Sequence, residues 1–250
     1  QRRDFPFHSA VDCSAGLEPG GLLTRLLESL GVRDRLTPLR LDPIRVSRFP
    51  DLTVRVDADL RAYVDRLCGL FPAERGGIAG FFRRADEIYV DVARMMDAVA
   101  DPAESAPALT GALLRYGHQT YADLLRLDIR DPRLAAILSD RCPFLGVSPV
   151  RSSGTRMIAL IMSYFRSGAF RPRGGHQQLA NVLVDGIRAR GGEVHLARPV
   201  TAIRLAGDRC GGVVTADGEE LVAEHVVSDA DGAETVGRLG GGAGGPAGLG

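Results

Sequence analysis

The sequence predicts a mixed α/β protein: a helical portion, residues 57–165, inserted into a sheet-bearing portion made of residues 1–56 and 166–236. Two patterns carry this. Through the middle third, apolar residues recur at three- and four-residue spacing, whereas both ends alternate with period two between Gly and Pro breaks. Residues 170–231 then read as loop, helix, strand, strand, turn and strand, the unit around which the chain is organised. After it, residues 237–250 are glycine and alanine with little else, and so are expected to stay disordered.

Taken in order, residues 5–16 are rich in small side chains and read as strand and loop. A helix is expected over 20–30, with Leu22, Leu23, Leu26, Leu27 and Leu30 on one side and Gly31 as its stop. Pro38, Pro43 and Pro50 punctuate residues 32–56, which suits short strands joined by turns. A second helix covers 57–70. Pro72 opens a third, with Phe81, Phe82, Ile88, Val92 and Met95 on one face, until Asp101-Pro102 interrupts it. A fourth is expected over 108–127, and a fifth over 134–142, where Asp131 caps and Pro132 takes the first helical position. Residues 149–165 present Met157, Ile158, Leu160, Ile161, Met162, Tyr164 and Phe165. A face this apolar is either buried core or the wall of a greasy tunnel.

The organising stretch begins Phe170-Arg171-Pro172-Arg173-Gly174-Gly175-His176. A proline and two glycines force an irregular loop, with no strand read immediately before it, whose backbone can approach a ligand because neither glycine has a Cβ. Leu179, Val182, Leu183 and Ile187 then line one helix face, and Gly191-Gly192 ends the helix with a left-handed cap. Strands are expected over 193–196, 200–205 and 211–216, with a turn at Asp217-Gly218 and a last strand closing on Val226-Val227-Ser228. Asp229 and Asp231 follow it as helix caps or as ligands for a ribose or a metal.

Composition removes several function classes. With 31 basic and 31 acidic residues the chain has no excess positive charge to offer a nucleic acid. Every basic residue is arginine, which excludes Schiff-base chemistry, pyridoxal phosphate anchoring and the lysine of a nucleotide phosphate loop. Cys13, Cys68, Cys142 and Cys210 are far apart, so neither a zinc site nor a disulfide framework is expected and a reducing, cytoplasmic setting is. No nucleophile elbow, paired catalytic carboxylates or His-Glu metal box is present, and Ser152-Ser153-Gly154 has no base fixed near it in sequence. The one literal G-x-G-x-x-G, Gly240 to Gly245, has Pro246 where a helix would have to start, so it reads as an accident of a low-complexity tail.

The residues in order nevertheless resemble a family. Phe170-Arg171-Pro172-Arg173-Gly174-Gly175, then Gly192-Glu193-Val194, Pro199-Val200-Thr201-Ala202-Ile203, Gly212-Val213 through Asp217-Gly218-Glu219, and Val226-Val227-Ser228-Asp229-Ala230 are similar to successive motifs of the phytoene desaturase and carotenoid isomerase family of flavoproteins, which includes retinol saturases. Upstream, Phe71-Pro72-Ala73-Glu74 resembles the isomerase-type F-P-x-E segment and Asp131-Pro132-Arg133-Leu134 the D-P-x-L helix start. Phe7-His8-Ser9-Ala10 departs from the family's F-D-x-G beside the flavin.

The resemblance implies an FAD-dependent desaturase, saturase or cis-trans isomerase acting on a carotenoid-like polyene, with peripheral membrane contact as a further expectation. The cofactor would be held by Arg173, Gly174, Gly175, Val200, Ser228 and Ala230, and the polyene by Met157, Ile161 and Phe165, with no side chain required as acid or base. The family's amino-terminal G-x-G-x-x-G unit and carboxy-terminal flavin cover have no counterpart in the sequence, so the chain reads as an internal fragment. The alternative is a truncated, non-catalytic remnant that binds a lipid or a protein partner through its helical block.

Overall fold

The computed structural model describes residues 12–100, 111–206 and 209–240. The Phe7-His8-Ser9-Ala10 departure, the Asp101-Pro102 break and all but the first glycine of the Gly240–Gly245 run lie outside the described residues. The chain forms two compact units, one reaching Gly186 and the other starting at Ile187.

The first unit opens with helix α1 (Leu22–Ser29), stopped by Gly31 at φ +62° as expected. Its apolar side is split. Leu23, Leu27 and Leu30 pack inward, while Leu22 and Leu26 are half-exposed, because five leucines in nine residues sweep more of the helix than one packing face covers. Short strands β1 (Pro38–Arg40), β2 (Arg45–Arg48) and β3 (Thr53–Val56) follow, β2 and β3 forming an antiparallel hairpin. Helices α2 (Leu60–Leu70), capped by Asp59, and α3 (Arg75–Ala100), entered through the 3₁₀ turn Pro72–Glu74, come next.

The helix expected over 108–127 is two: α4 (Gly111–Tyr116) and α5 (Tyr121–Arg126). Thr120 accepts from the Asp123 amide and Asp123 answers at the Thr120 amide, a capping box that starts a new helix and outweighs the continuous apolar periodicity. Helix α6 (Pro132–Leu138) begins as expected on Asp131 and Pro132, and a 3₁₀ turn, Cys142–Leu145, follows it. Helix α7 (Gly154–Arg166) starts well after Pro149, at a Ser153 cap.

The main core joins these helices. Leu67, Ile78, Phe81, Ile88, Tyr121, Leu124, Leu134, Ile137, Met157 and Ile158 are fully buried in it, each worth about 1.5–3 kcal/mol of transfer from water for a side chain of this size. Tyr121 carries its hydroxyl into this core by donating to the Leu138 carbonyl at 2.7 Å.

Strand β4 (Phe170–Pro172) corrects the reading that no strand precedes the glycine loop. It pairs antiparallel with β1, Arg40 opposite Phe170, and on its other edge Phe170 exchanges both backbone bonds with Ser14. Three residues that include a proline give too short a signal for a strand. Helix α8 (Gln177–Ala189) follows, and a second core of Leu17, Leu27, Val32, Leu36, Phe170 and Val182 fastens α1, β4 and the start of α8 together.

In the second unit α8 ends at Gly191, φ +79°, where the Gly192 amide reaches back to the Ile187 carbonyl. Strands β5 (Val200–Ala206), β6 (Arg209–Thr215) and β7 (Glu220–Val222) make one antiparallel sheet in sequence order, with the expected turn closed by Gly218 at φ +84°. Two expected strands are absent: residues 193–196 and 226–228 run as unpaired chain, and Val227 is almost wholly exposed. Alternation alone does not make a strand without a neighbouring edge to bond. Asp231 caps the last helix as one of the two readings had it, its carboxylate taking the Glu234 amide at 3.1 Å. That π-helical turn, Glu234–Leu239, buries Leu239 and so orders the first residues of the stretch expected to be disordered.

Candidate functional site

The glycine loop is a turn joining β4 to α8. The Gly175 amide donates to the Pro172 carbonyl at 2.8 Å, which places Arg173 and Gly174 at the two central positions. Gly174 has φ +82°, as the third residue of a type II turn requires, and Gly175 follows at φ +93°. Two successive residues in this region are open only to glycine at low cost. Gly175 is buried, Gly174 and Arg173 are exposed, and the Arg173 amide is anchored on the Thr37 carbonyl at 2.8 Å.

Immediately after the loop, His176 stands at the entry to α8 with its Nε2 3.1 Å from the Ser14 hydroxyl. Ser14 is the residue bridged to Phe170, so the loop, α8 and the 12–14 segment meet at one place. A buried polar cluster holds that segment. Arg141, 5% exposed, donates from both terminal nitrogens to the Asp12 carboxylate, at 2.7 and 3.1 Å, and one of them also reaches the Tyr164 hydroxyl at 3.0 Å. Its guanidinium lies 4.4 Å from the Phe144 ring centre and 5.1 Å from that of Tyr164. Arg171 adds two bonds to the Asp12 carbonyl.

These contacts set the local charges. Burial works against the Asp12 carboxylate, but the bonds and charge of Arg141 prevail and hold its pKa below the ordinary value. Burial first, and then the Asp12 charge, push the Cys13 thiol up, so it is kept neutral. Burial likewise raises the Tyr164 phenol.

The expected site residues are only partly brought together. Arg173, Gly174 and Gly175 form one turn. Val200 begins β5 in the second unit, half-buried opposite Thr215. Ser228 and Ala230, also in the second unit, are exposed, and the Ser228 hydroxyl is already shared between the Thr235 hydroxyl at 2.8 Å and the Ala230 amide at 3.3 Å. Of the substrate residues, Met157 and Ile161 point into the main core, at 0% and 9% exposure, which favours the core reading of that helix face. Phe165 stacks on Tyr63, centres 5.7 Å apart, at the edge of a groove of about 720 Å³. Ala58, Leu60 and Val64 line that groove together with Arg40, Asp42, Asp59, Arg61 and Arg166, a mixed setting in which charged groups interrupt the apolar wall. Asp12, Ser14, Arg141, Tyr164 and His176 escaped the sequence reading, since Ser14 and His176 are 162 residues apart and no local pattern links them.

The fold is one shared with a solved structure, and a family model gives its class. The chain is similar in structure to an oxidoreductase from Methanosarcina mazei, with a TM-score of 0.57 at 15% identity over 95% of this chain and 49% of that one. The chain belongs to the flavin containing amine oxidoreductase family, whose model matches residues 25–232. Among curated proteins it is 28% identical to prolycopene isomerase 1, chloroplastic, of an Oncidium hybrid cultivar, over 96% of this chain and 42% of that protein. It is 34% identical to the hydroxyneurosporene desaturase of Cereibacter sphaeroides over 54% of this chain and 26% of that protein. The carotenoid desaturase and isomerase kinship read from the motifs is thereby shown, for a chain that spans less than half the length of these relatives. No described helix is long and apolar enough to cross a membrane.

At the β4–α8 turn Gly174 is exposed at φ +82° and Gly175 is buried at φ +93°, two backbone conformations that glycine adopts at low cost.

Proposed function

We propose that this chain forms the substrate-side part of an FAD-dependent oxidoreductase, a desaturase, saturase or cis-trans isomerase, that acts on a carotenoid-like polyene. The observation that carries the reading is the strand, double glycine and helix at Pro172 to Gln177 in a member of a flavin family. Bound FAD would supply hydride or electron transfer to and from the conjugated chain. Gly174 and Gly175 give it backbone contact, and the exposed Arg173 offsets charge on the reduced ring or the pyrophosphate. His176, held by Ser14, fixes the polar edge of the same place. Val200, Ser228 and Ala230 are assigned to the adenosine half. The buried cluster of Asp12, Arg141 and Tyr164 acts on none of these groups directly and positions the 12–14 segment behind them.

The test is an FAD titration of the purified full chain, followed by flavin fluorescence and by melting temperature. Saturable quenching and a raised melting temperature are expected, and Arg173→Glu, at an exposed side chain, should weaken both while leaving the circular dichroism spectrum in place. A colourless protein with neither response would overturn the assignment of the loop as a flavin contact.

A further inference from the structure

On the opposite side of α7 from Met157 and Ile161, the first unit holds a second groove, of about 690 Å³, between α3, α4 and the start of α7. Its walls are apolar and come from three elements: Val92, Met95 and Met96 of α3, Leu113 and Leu114 of α4, and Ala159 of α7. Met96 and Leu114 are 55% and 61% exposed, which leaves apolar surface facing water along the groove. The volume lies within the range of about 300–1,000 Å³ usual for small-molecule sites, and two adjacent methionines give walls that adapt to a flexible chain.

One end of the groove differs from the rest. There the lining is Ser153, Thr155 and Arg156, at the start of α7, with His118 from the chain after α4. Among the described residues Arg156 is the one charged side chain in the lining, no carboxylate lines the groove, and the guanidinium makes no ion pair. Thr155 is 9% exposed, its hydroxyl 3.3 Å from that of Ser153, so two further hydroxyls stand at the same end. An apolar trough closed at one end by a cation and hydroxyls matches a single hydrocarbon chain with an anion at its head. The exposed Arg156 guanidinium offers a charge-assisted contact that an anionic head would use and a pure hydrocarbon polyene would not.

We propose that this groove is a binding site for a single-chain amphiphile with an anionic head, its tail along Met95, Met96 and Leu114 and its head on Arg156. The site is distinct from the β4–α8 turn and does not rest on the flavin reading.

The probe is 11-(dansylamino)undecanoate, titrated into the full chain. With the protein free of added flavin, the dansyl group is excited directly and brightens on entering an apolar site, which reports binding. One saturable site is expected, from which dodecanoate displaces the probe about tenfold better than dodecanol, the margin of one charge-assisted contact. Arg156→Gln should erase that preference by weakening dodecanoate about tenfold and leaving dodecanol unchanged. Ala159→Trp should fill the trough and remove binding of both, with an unchanged circular dichroism spectrum. Equal displacement by the two competitors, indifference to Arg156→Gln, or absence of saturable binding would each overturn the proposal. So would adsorption to anionic phospholipid vesicles with no binding of monomeric dodecanoate, since a surface charge effect needs no groove.

Discussion

The carboxylate of Glu74 accepts a hydrogen bond from the backbone amide of Asp131 at 2.7 Å, and another from the Arg130 amide at 3.1 Å. The two motifs at Phe71-Pro72-Ala73-Glu74 and Asp131-Pro132-Arg133-Leu134 are therefore one lock. Asp131 spends its side chain on the Arg133 amide at 2.8 Å, and Pro132 has no amide to offer, so the amides just before the helix need an acceptor from elsewhere. Glu74→Ala should lower the unfolding free energy by about 1–3 kcal/mol, the cost of leaving such donors unpaired, and Glu74→Gln by less than half as much. Urea unfolding measures both. A change below about 0.5 kcal/mol for the alanine variant would show that water replaces the lock freely.

The same corner sets the sign of a glycine substitution. In a helix interior Gly→Ala ordinarily stabilises by about 0.5–1 kcal/mol, and Gly69 of α2 and Gly76 of α3, with nothing within 4 Å of an added Cβ, should follow that rule. Gly77 should reverse it. A Cβ there would collide with the Asp128 carbonyl oxygen, which is backbone and cannot swing away. Gly77→Ala is expected to destabilise by about 1–3 kcal/mol, as overpacking does, against the gain at Gly76 measured in the same melts.

The contrast between these positions shows what the sequence carries. The motifs at Glu74 and Asp131 were legible separately because each is local, but their pairing is tertiary and 57 residues apart. Helix stops at Gly31 and Gly191 and the Gly218 turn were legible because a positive φ has one cheap residue. The break between α4 and α5 was written in Thr120 and Asp123, yet apolar spacing across it was the louder signal. Residues 193–196 and 226–228 alternate like strands and are not, since pairing depends on an edge that sequence does not display. At the candidate site Arg173, Gly174 and Gly175 could be read, whereas Ser14, Arg141 and His176 are assembled only by the fold. Helical periodicity identified the apolar face of Met157 and Ile161 without distinguishing core from tunnel.

Acid should weaken one charge cluster in a defined direction. Asp57, 8% exposed, accepts from Arg66 at 2.8 and 3.0 Å and from Arg55 at 2.8 Å. The Arg66 bonds, opposed by burial and aided by Arg55, lower its carboxyl pKa from the ordinary value. A depressed carboxyl stabilises the fold fully above the unfolded pKa of about 4, and that contribution disappears as pH falls through the lower folded value. Asp57→Asn should therefore cost about 1 kcal/mol at pH 7, a figure kept small because both arginines are well exposed to water. The variant and the parent should converge in stability below about pH 3. A gap that persists undiminished into acid would mean that packing, not charge, is lost.

The pair of Arg141 and Asp12 should behave asymmetrically, because only one partner is enclosed. The Arg141 side chain is 6% exposed and that of Asp12 is 46% exposed. Asp12→Ala strands a buried guanidinium whose Nε has no hydrogen-bond partner among the described residues, leaving it the Tyr164 hydroxyl. Arg141→Met leaves a carboxylate that water can reach, and it puts an apolar chain of similar length against Phe144 and Tyr164. The first variant is thus expected to lose about 3 kcal/mol and the second distinctly less, although the second removes the larger group. Adding Arg141→Met to Asp12→Ala should then restore stability, giving a double-mutant coupling of about 1–3 kcal/mol. Urea melts of the four proteins decide it. Additive losses would mean that the two residues stabilise the 12–14 segment independently, and that the segment's place beside His176 does not depend on their pairing.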